Sequence, residues 1–174
     1  IYSAITKRFD NCFIQRCREH KKRNIIDHAP EKMKVEVERR LNAAYAEQDY
    51  EKALALLNSF AKWADNINPD MGRSVREGME ETLTVLKLGV SPYLYKTVYS
   101  TNPIESLNSS LERFAHRVKK WGKGDMKKRW LASAILQSEE RMHRVKGFVG
   151  ISYLVKNMEK ILEDQKLKID SKAG

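Results

Sequence analysis

The chain has 174 residues, of which 41% are hydrophobic, enough for one domain with a packed core. Lysine and arginine number 33 against 23 acidic residues, a net charge of +10 that favours a polyanionic partner. Nucleic acid is the first candidate for that partner and an anionic membrane surface is the second. No apolar run reaches the roughly 18 residues that span a bilayer, and no signal peptide is apparent, so we predict a soluble, cytoplasmic protein.

Few glycines and prolines interrupt the chain, and apolar residues recur at three- and four-residue spacing, which predicts a mainly α-helical fold. Residues 11–16 form a short apolar run that predicts a buried strand instead. The first four helices are expected over about 18–28, 33–45, 50–61 and 71–86, with a turn at Asn68-Pro69-Asp70 and a stop at Gly89.

Residues 90–100 lack clear periodicity, which predicts a connector with at most a helical turn near Tyr93. The next helix has the strictest apolar spacing in the chain, from Ile104 to Trp121, and glycines end it. A further helix begins near Asp125, which can cap it, and a last helix is expected over about 151–167.

Glu105 lies in the segment TNPIES, where two roles compete for its carboxylate. Asn102 suits the helix N-cap, Pro103 suits the first helical position, and Glu105 follows the cap by three residues, where its side chain can bond the cap's backbone N–H. The same geometry directs a carboxylate out of the first turn, where it could help to hold a divalent cation. Spacing alone favours the capping role.

Cys17 and His20 form a Cys-x2-His pair that could be half of a zinc site. Completing it with Cys12 and His28 gives a spacing unlike that of structural zinc sites. The alternative is a junction in which Cys17 packs as a small apolar group and His20 hydrogen-bonds nearby. Cys12 and Cys17 should point to different faces, so we expect no disulfide.

Two basic clusters are candidates for contact with DNA phosphates, although such runs are often simply solvated helix faces. The first comprises Arg18, Lys21, Lys22 and Arg23. The second comprises Arg113, Arg117, Lys119, Lys120, Lys127, Lys128 and Arg129. Trp121 and Trp130 are interleaved with the second cluster and could stack on bases, but both continue apolar stripes and are expected in the core.

Three blocks of the sequence together resemble the Mutator-type transposases of bacterial insertion sequences. They are QRCREHKKRNIIDHAPE (15–31), SVREGMEETLTVLKLGV (74–90) and the long block from STNPIESLNSSLERF to HRVKGF (100–148). The similarity extends from about Ile5 to Leu162, and the blocks keep the family's order and approximate spacing.

The resemblance implies a ribonuclease-H-like core whose Asp-Asp-Glu triad binds two Mg²⁺ or Mn²⁺ ions, with an all-helical insertion domain. Glu105 matches the family's Glu and becomes the expected metal ligand and catalytic residue, with capping as its resting alternative. Cys17 and His20 match the Cys-x2-His block, whose role stays open. Both catalytic Asp residues of the family lie upstream of Ile1, and Asp10 occupies a variable position.

The resemblance therefore predicts the C-terminal part of a ribonuclease-H-like core, inactive alone, from a transposase that forms a homo-oligomer. The expected divisions are 1–16 for a core helix and the last core strand, 17–100 for the helical insertion, 101–148 for the closing core helices, and 149–174 for a C-terminal helix and tail. DNA at the transposon ends and the target is the expected partner. The alternatives are a non-catalytic nucleic-acid-binding helical module, such as a transposase relic, and a helical scaffold whose charge only maintains solubility.

Overall fold

A computed structural model describes residues 2–9, 12–122 and 124–173, and its regular elements are all helical within these ranges. The α-helices are α1 (Tyr2–Arg8), α2 (Arg18–Asp27), α3 (Lys34–Ala46), α4 (Tyr50–Asp65), α5 (Pro69–Arg76), α6 (Thr84–Lys87), α7 (Pro92–Val98), α8 (Asn102–Ala115), α9 (Met126–Glu139) and α10 (Ile151–Ala173). Short 3-10 helices cover Glu31–Met33, Glu80–Leu83 and Phe148–Gly150. The predicted mainly α class is confirmed.

The strand predicted over 11–16 is wrong for the described residues 12–16, which have no regular secondary structure and no partner strand. A strand is stable only when a neighbour satisfies its backbone groups, and this segment instead bonds the 3-10 helix before α6. The Arg16 N–H donates to the Glu81 carbonyl at 2.8 Å, and the Gln15 amide donates to the Thr82 carbonyl at 2.9 Å. Residue 11 lies outside the described residues.

The single helix predicted over 71–86 is divided into three shorter pieces. Gly78 has a positive φ of 69°, a conformation that other residues rarely adopt, and it separates α5 from the 3-10 helix. The predicted stop at Gly89 is confirmed, since its φ is also positive at 64°. The predicted turn at Asn68 connects α4 to α5, and the Asn68 side chain accepts a hydrogen bond from the Asp70 N–H.

Three expectations for the second half are corrected. Residues 92–98 form a full helix, α7, which the Ser91 hydroxyl caps, instead of a loop. Helix α8 ends at Ala115 and not near Trp121, and Asp125 makes no side-chain capping bond to α9 but pairs with Lys128 at 3.3 Å. Periodicity continued past the end of α8 because apolar residues also occur in the turn that follows.

The hydrophobic core is formed by residues of the successive elements from α2 to α7. Its most completely buried apolar side chains are Ile25, Val37, Leu41, Leu57, Met71, Leu83 and Leu94. Burying each such side chain contributes about 1.5–3 kcal/mol. Helices α8 and α9 pack against each other, but α8 buries no residue completely and α9 buries only Ala134 and Ser138.

Arg18 lies inside this core and connects four of its elements. Its Nε donates to the Thr82 carbonyl at 2.8 Å, and its Nη1 donates to the Tyr45 carbonyl at 3.0 Å. The guanidinium also lies over the rings of Tyr45, Tyr95 and Tyr99, at 4.8, 4.7 and 5.6 Å from their centres. The Arg18 N–H donates to the Tyr99 carbonyl at 3.2 Å, which attaches the start of α2 to the segment that precedes α8.

We expect Arg18→Met to lower the free energy of unfolding by about 3 kcal/mol or more, because it removes the Arg18 donor from the Tyr45 carbonyl, removes one of the two donors to the Thr82 carbonyl and deletes the cation from among three tyrosine rings. The matched control is Arg23→Met, which makes the same change on the exposed side of α2 and should cost less than about 0.5 kcal/mol. Urea unfolding followed by circular dichroism measures both values. Equal losses in the two variants would contradict the role of Arg18 in the core.

Candidate functional site

Glu105 lies in the first turn of α8, half-exposed to solvent. The helix begins one residue earlier than predicted, with Thr101 as the N-cap, Asn102 as its first residue and Pro103 in the first turn. The Glu105 N–H donates to the Thr101 carbonyl at 3.0 Å, which closes the first helical turn. The sequence therefore placed Glu105 correctly at the start of a helix.

The capping arrangement expected for Glu105 is not the one that forms. Its carboxylate accepts a hydrogen bond of 2.5 Å from the Thr101 hydroxyl instead of bonding a backbone N–H. The Asn102 N–H, which the capping prediction assigned to Glu105, donates to the Ser100 hydroxyl at 3.4 Å. The side chain of Glu105 is thus held by a neighbouring side chain, and it remains 48% exposed.

The structure brings Cys17 and His20 to the same place. The Thr101 hydroxyl oxygen lies 3.4 Å from Sγ of Cys17 and 3.4 Å from Nδ1 of His20. The other ring nitrogen of His20, Nε2, lies 3.6 Å from the Glu105 carboxylate. Four side chains from two segments more than 80 residues apart therefore form one cluster, which we call the Glu105 cluster.

The geometry of the Glu105 cluster follows from the meeting of two helix N-termini. Cys17 is the N-cap of α2, and Thr101 is the N-cap of α8. The unpaired backbone N–H groups at a helix N-terminus carry partial positive charge. Negative groups are therefore stabilised where the N-termini of α2 and α8 meet. A carboxylate and a thiolate therefore suit this position better than most others in the chain.

Partial burial raises the pKa of the Cys17 thiol, but hydrogen bonds from Thr101 and from the backbone N–H and side chain of His20 outweigh it. The pKa is lowered to about 7. Low-pKa thiols are typical of cysteines at helix N-termini. Cys12 and Cys17 are both free cysteines.

Zinc and magnesium make different demands on this cluster. Within the described ranges, no group of three or more His, Cys, Asp or Glu side chains is arranged to hold a metal ion. Cys17 and His20 thus lack the further ligands of a structural zinc site. Glu105 is an oxygen donor suited to Mg²⁺, but two-metal chemistry needs several carboxylates. The described residues alone do not form such a site.

The first basic cluster is largely engaged within the protein. Arg18 is 3% exposed and lies among tyrosines, and Lys21 is 2% exposed and donates to the Glu77 carboxylate at 3.2 Å. Lys22 pairs with acidic side chains of α2 and α3, and only Arg23 is exposed. Their burial argues against phosphate contacts by Arg18 and Lys21. The charge of a residue in the sequence does not reveal whether its side chain is solvated or packed against a tyrosine ring.

The second basic cluster is exposed throughout. It extends from the end of α8 through the following turn into the start of α9, and its members are Arg113, Arg117, Lys119, Lys120, Lys127, Lys128 and Arg129. Trp121 and Trp130 are each 41% exposed beside it, so the expectation that both lie in the core is wrong. The α8–α9 pair provides too little surrounding structure to bury side chains of this size.

Thr101 belongs to the site but was not among the residues predicted from the sequence. Its only sequence signal is that it immediately precedes the Asn-Pro-x-Glu segment, where a threonine is an ordinary cap. Its contacts with Cys17 and His20 depend on how α2 packs against the start of α8. Nothing in local spacing predicts that packing.

Comparison of the sequence with known families places the chain among DNA transposases. The family described as "Transposase, Mutator family" matches residues 1–142, and the chain belongs to it. The resemblance in the sequence blocks is confirmed.

Individual relatives give the same result. The transposase for insertion sequence element ISRM5 of Rhizobium meliloti is 27% identical over 156 residues, which cover 89% of this chain and 37% of that protein. The transposase for insertion sequence element IS905 of Lactococcus lactis is 31% identical over 101 residues, covering 57% of this chain and 25% of that protein. The chain thus spans only a quarter to about a third of these relatives' length. No solved structure matches it significantly.

No helix among the described residues is both long and apolar enough to cross a bilayer.

We expect the rate of Cys17 alkylation by iodoacetamide, measured in a Cys12→Ser variant, to rise with a midpoint at pH about 7. The urea-unfolded chain should instead show a midpoint near the ordinary value of 9.0. Because the folded-state pKa is the lower one, the thiolate adds stability above the unfolded pKa. That contribution is lost as the pH falls from 9.0 to about 7. A common midpoint in both states would contradict the hydrogen bonding described for Cys17.

Proposed function

We propose that this chain is part of a transposase that cuts DNA at the ends of an insertion sequence and joins it to target DNA, with Glu105 as a catalytic carboxylate. Family membership supports the reaction class. The observation that carries the role of Glu105 is its position, half-exposed in the first turn of α8 and hydrogen-bonded to Thr101. Such a carboxylate is accessible and yet fixed in direction.

In this proposal, Glu105 supplies one ligand of a site for Mg²⁺ or Mn²⁺, and the other carboxylates belong to parts of the transposase outside this chain. The shorter span of the chain relative to its relatives is consistent with this. So is the lack of a complete ligand group among the described residues. The chain alone would then bind DNA without cutting it.

We also propose that residues 1–16 and the closing helices α8 and α9 (101–148) belong to a ribonuclease-H-like core, with residues 17–100 as an insertion and α10 in the C-terminal part that follows. The division into 1–16, 17–100, 101–148 and 149–174 rests on the family resemblance. Apolar side chains left exposed on these helices support it, because such surfaces normally pack against further structure. They are Leu131, Ile135 and Leu136 on α9, and Ile151, Tyr153 and Val155 on α10. A homo-oligomer stays a prediction.

The second basic cluster is our proposed DNA-contacting surface. Its cations are exposed, and the ion pair of Lys128 with Asp125 lies at the surface, where such pairs contribute little. Half-exposed Trp121 and Trp130 lie among these cations, as in surfaces that combine phosphate contacts with base stacking. Arg23 is the remaining candidate from the first cluster.

In the full-length transposase that contains this chain, we expect Glu105→Gln to reduce strand cleavage by several orders of magnitude. The measurement is cleavage of a labelled element-end DNA in the presence of Mg²⁺. Affinity for the same DNA should stay within a few-fold, since Glu105 does not belong to the basic cluster. A capping role alone would lower stability by only about 1 kcal/mol and leave the cleavage rate nearly intact.

A non-catalytic DNA-binding module is the second candidate, and the exposed basic cluster favours it because that surface needs no metal. It predicts DNA binding without any dependence on Glu105 or Mg²⁺. A helical scaffold, whose charge only maintains solubility, predicts weak binding with almost no salt dependence.

Replacing Lys119, Lys120 and Lys127 by glutamine should reduce the slope of log affinity against log salt by up to about 3, because each lost phosphate contact removes about 0.9 from it. The control replaces Lys32, Lys52 and Lys62, which are equally exposed on the insertion, and should change the slope by less than about 1. Fluorescence anisotropy with a duplex oligonucleotide at several salt concentrations provides both slopes. Equal changes of slope in the two variants would show that DNA affinity depends on the total charge of the chain and not on this surface.

A further inference from the structure

The hydroxyl of Thr101 lies at the centre of the Glu105 cluster, and it has one hydrogen to share among its neighbours. The Glu105 carboxylate is the nearest acceptor at 2.5 Å, while the Cys17 sulfur is at 3.4 Å. A charged oxygen at that distance is a much stronger acceptor than a sulfur. While Cys17 is the neutral thiol, the hydrogen therefore belongs to Glu105. Cys17 keeps the backbone N–H of Thr101 as a donor, at 3.5 Å.

Once this hydrogen is assigned, the two lone pairs of the Thr101 oxygen remain. Their neighbours are the Cys17 sulfur and Nδ1 of His20, each at 3.4 Å. Contacts on that side limit rotation of the hydroxyl away from Glu105. The Cys-x2-His spacing serves this purpose, because residues three apart on a helix lie on the same face.

We infer that Thr101 is a positioning residue that holds the Glu105 carboxylate in one orientation, and that Cys17 and His20 in turn hold Thr101. The catalytic consequence of this inference rests on the proposed function of Glu105. The positioning itself is a property of this chain.

Positioning is needed because Glu105 is exposed and long. A glutamate side chain at a helix surface can occupy several staggered rotamers, and the helix backbone alone does not select one. The backbone of Thr101 is itself fixed, since the Arg18 N–H holds the Tyr99 carbonyl and Cys17 holds the Thr101 N–H. The Thr101 hydroxyl thus transfers a backbone constraint to the carboxylate.

The test compares Thr101→Val, which keeps the shape but removes the hydroxyl, with Thr101→Ser, which keeps the hydroxyl. In the isotopically labelled chain, three-bond couplings of Glu105 report how its rotamers are populated. One rotamer should dominate in the natural sequence and in Thr101→Ser. In Thr101→Val its population should fall towards roughly a half, because two χ1 wells are open to a residue within a helix. Ser109→Ala removes an exposed hydroxyl from the same helix and should leave the couplings of Glu105 unchanged.

Melting temperatures separate positioning from general stability. If Thr101→Val lowers the melting temperature, Cys17→Ala provides the same comparison without altering α8, and it should also broaden the rotamer distribution of Glu105. Unchanged Glu105 couplings in both Thr101→Val and Cys17→Ala would overturn the inference.

In the full-length transposase, Thr101→Val should reduce strand cleavage by about 10- to 100-fold, as loss of a supporting hydrogen bond does at other sites, and Thr101→Ser should restore it. Glu105→Gln is measured in parallel. If it leaves cleavage intact, the proposed function fails, and the couplings still decide the positioning. If it abolishes cleavage while Thr101→Val cleaves normally, the catalytic part of the inference is overturned.

Discussion

The buried guanidinium of Arg18 is the constraint from which the arrangement of helices α2 to α7 follows. A charged group closed off from water needs hydrogen bonds and favourable electrostatics on every side. Arg18 obtains them from two backbone carbonyls and three tyrosine rings. These groups belong to α3, to the 3-10 helix Glu80–Leu83, to α7 and to Tyr99 directly after it. These elements can therefore pack only where their carbonyls and ring faces converge on one guanidinium.

The hydrogen bonding of the buried Arg18 guanidinium is incomplete, so the tyrosine rings supply part of its stabilisation. Nη2 of Arg18 and the hydroxyl of Tyr95 are both inaccessible to water, and neither completes a hydrogen bond. Burial lowers the pKa of Arg18, and the tyrosines beside it, Tyr95 foremost, oppose that shift. Contacts between the guanidinium and the ring faces thus replace hydrogen bonds that the site lacks.

Local patterns in the sequence predicted the helices that carry an uninterrupted apolar stripe, such as α3 and α4, and the helix start at Glu105. They failed where the outcome depends on distant partners. Residues 12–16 have the composition of a strand, yet no neighbouring strand is present among the described residues to pair with them. Arg18 and Lys21 have the composition of a phosphate-binding face, yet tyrosines and Glu77 engage them. For the same reason Thr101 could not be identified as a link between Cys17, His20 and Glu105.

Two kinds of surface meet at the start of α8. On one side, helices α2 to α7 are packed around Arg18, and the start of α2 presents Cys17 and His20. On the other, α8 and α9 expose a basic cluster and apolar side chains that have no partner among the described residues. Glu105 lies at the junction, on a helix that by itself buries no residue completely. Because α8 is weakly anchored by its own packing, the orientation of Glu105 depends on the Thr101 hydroxyl and on the N-terminus of α2. The helices packed around Arg18 are therefore part of the site's construction, since the residue that keeps α2 in place, Arg18, also keeps the segment with Thr101 beside that helix.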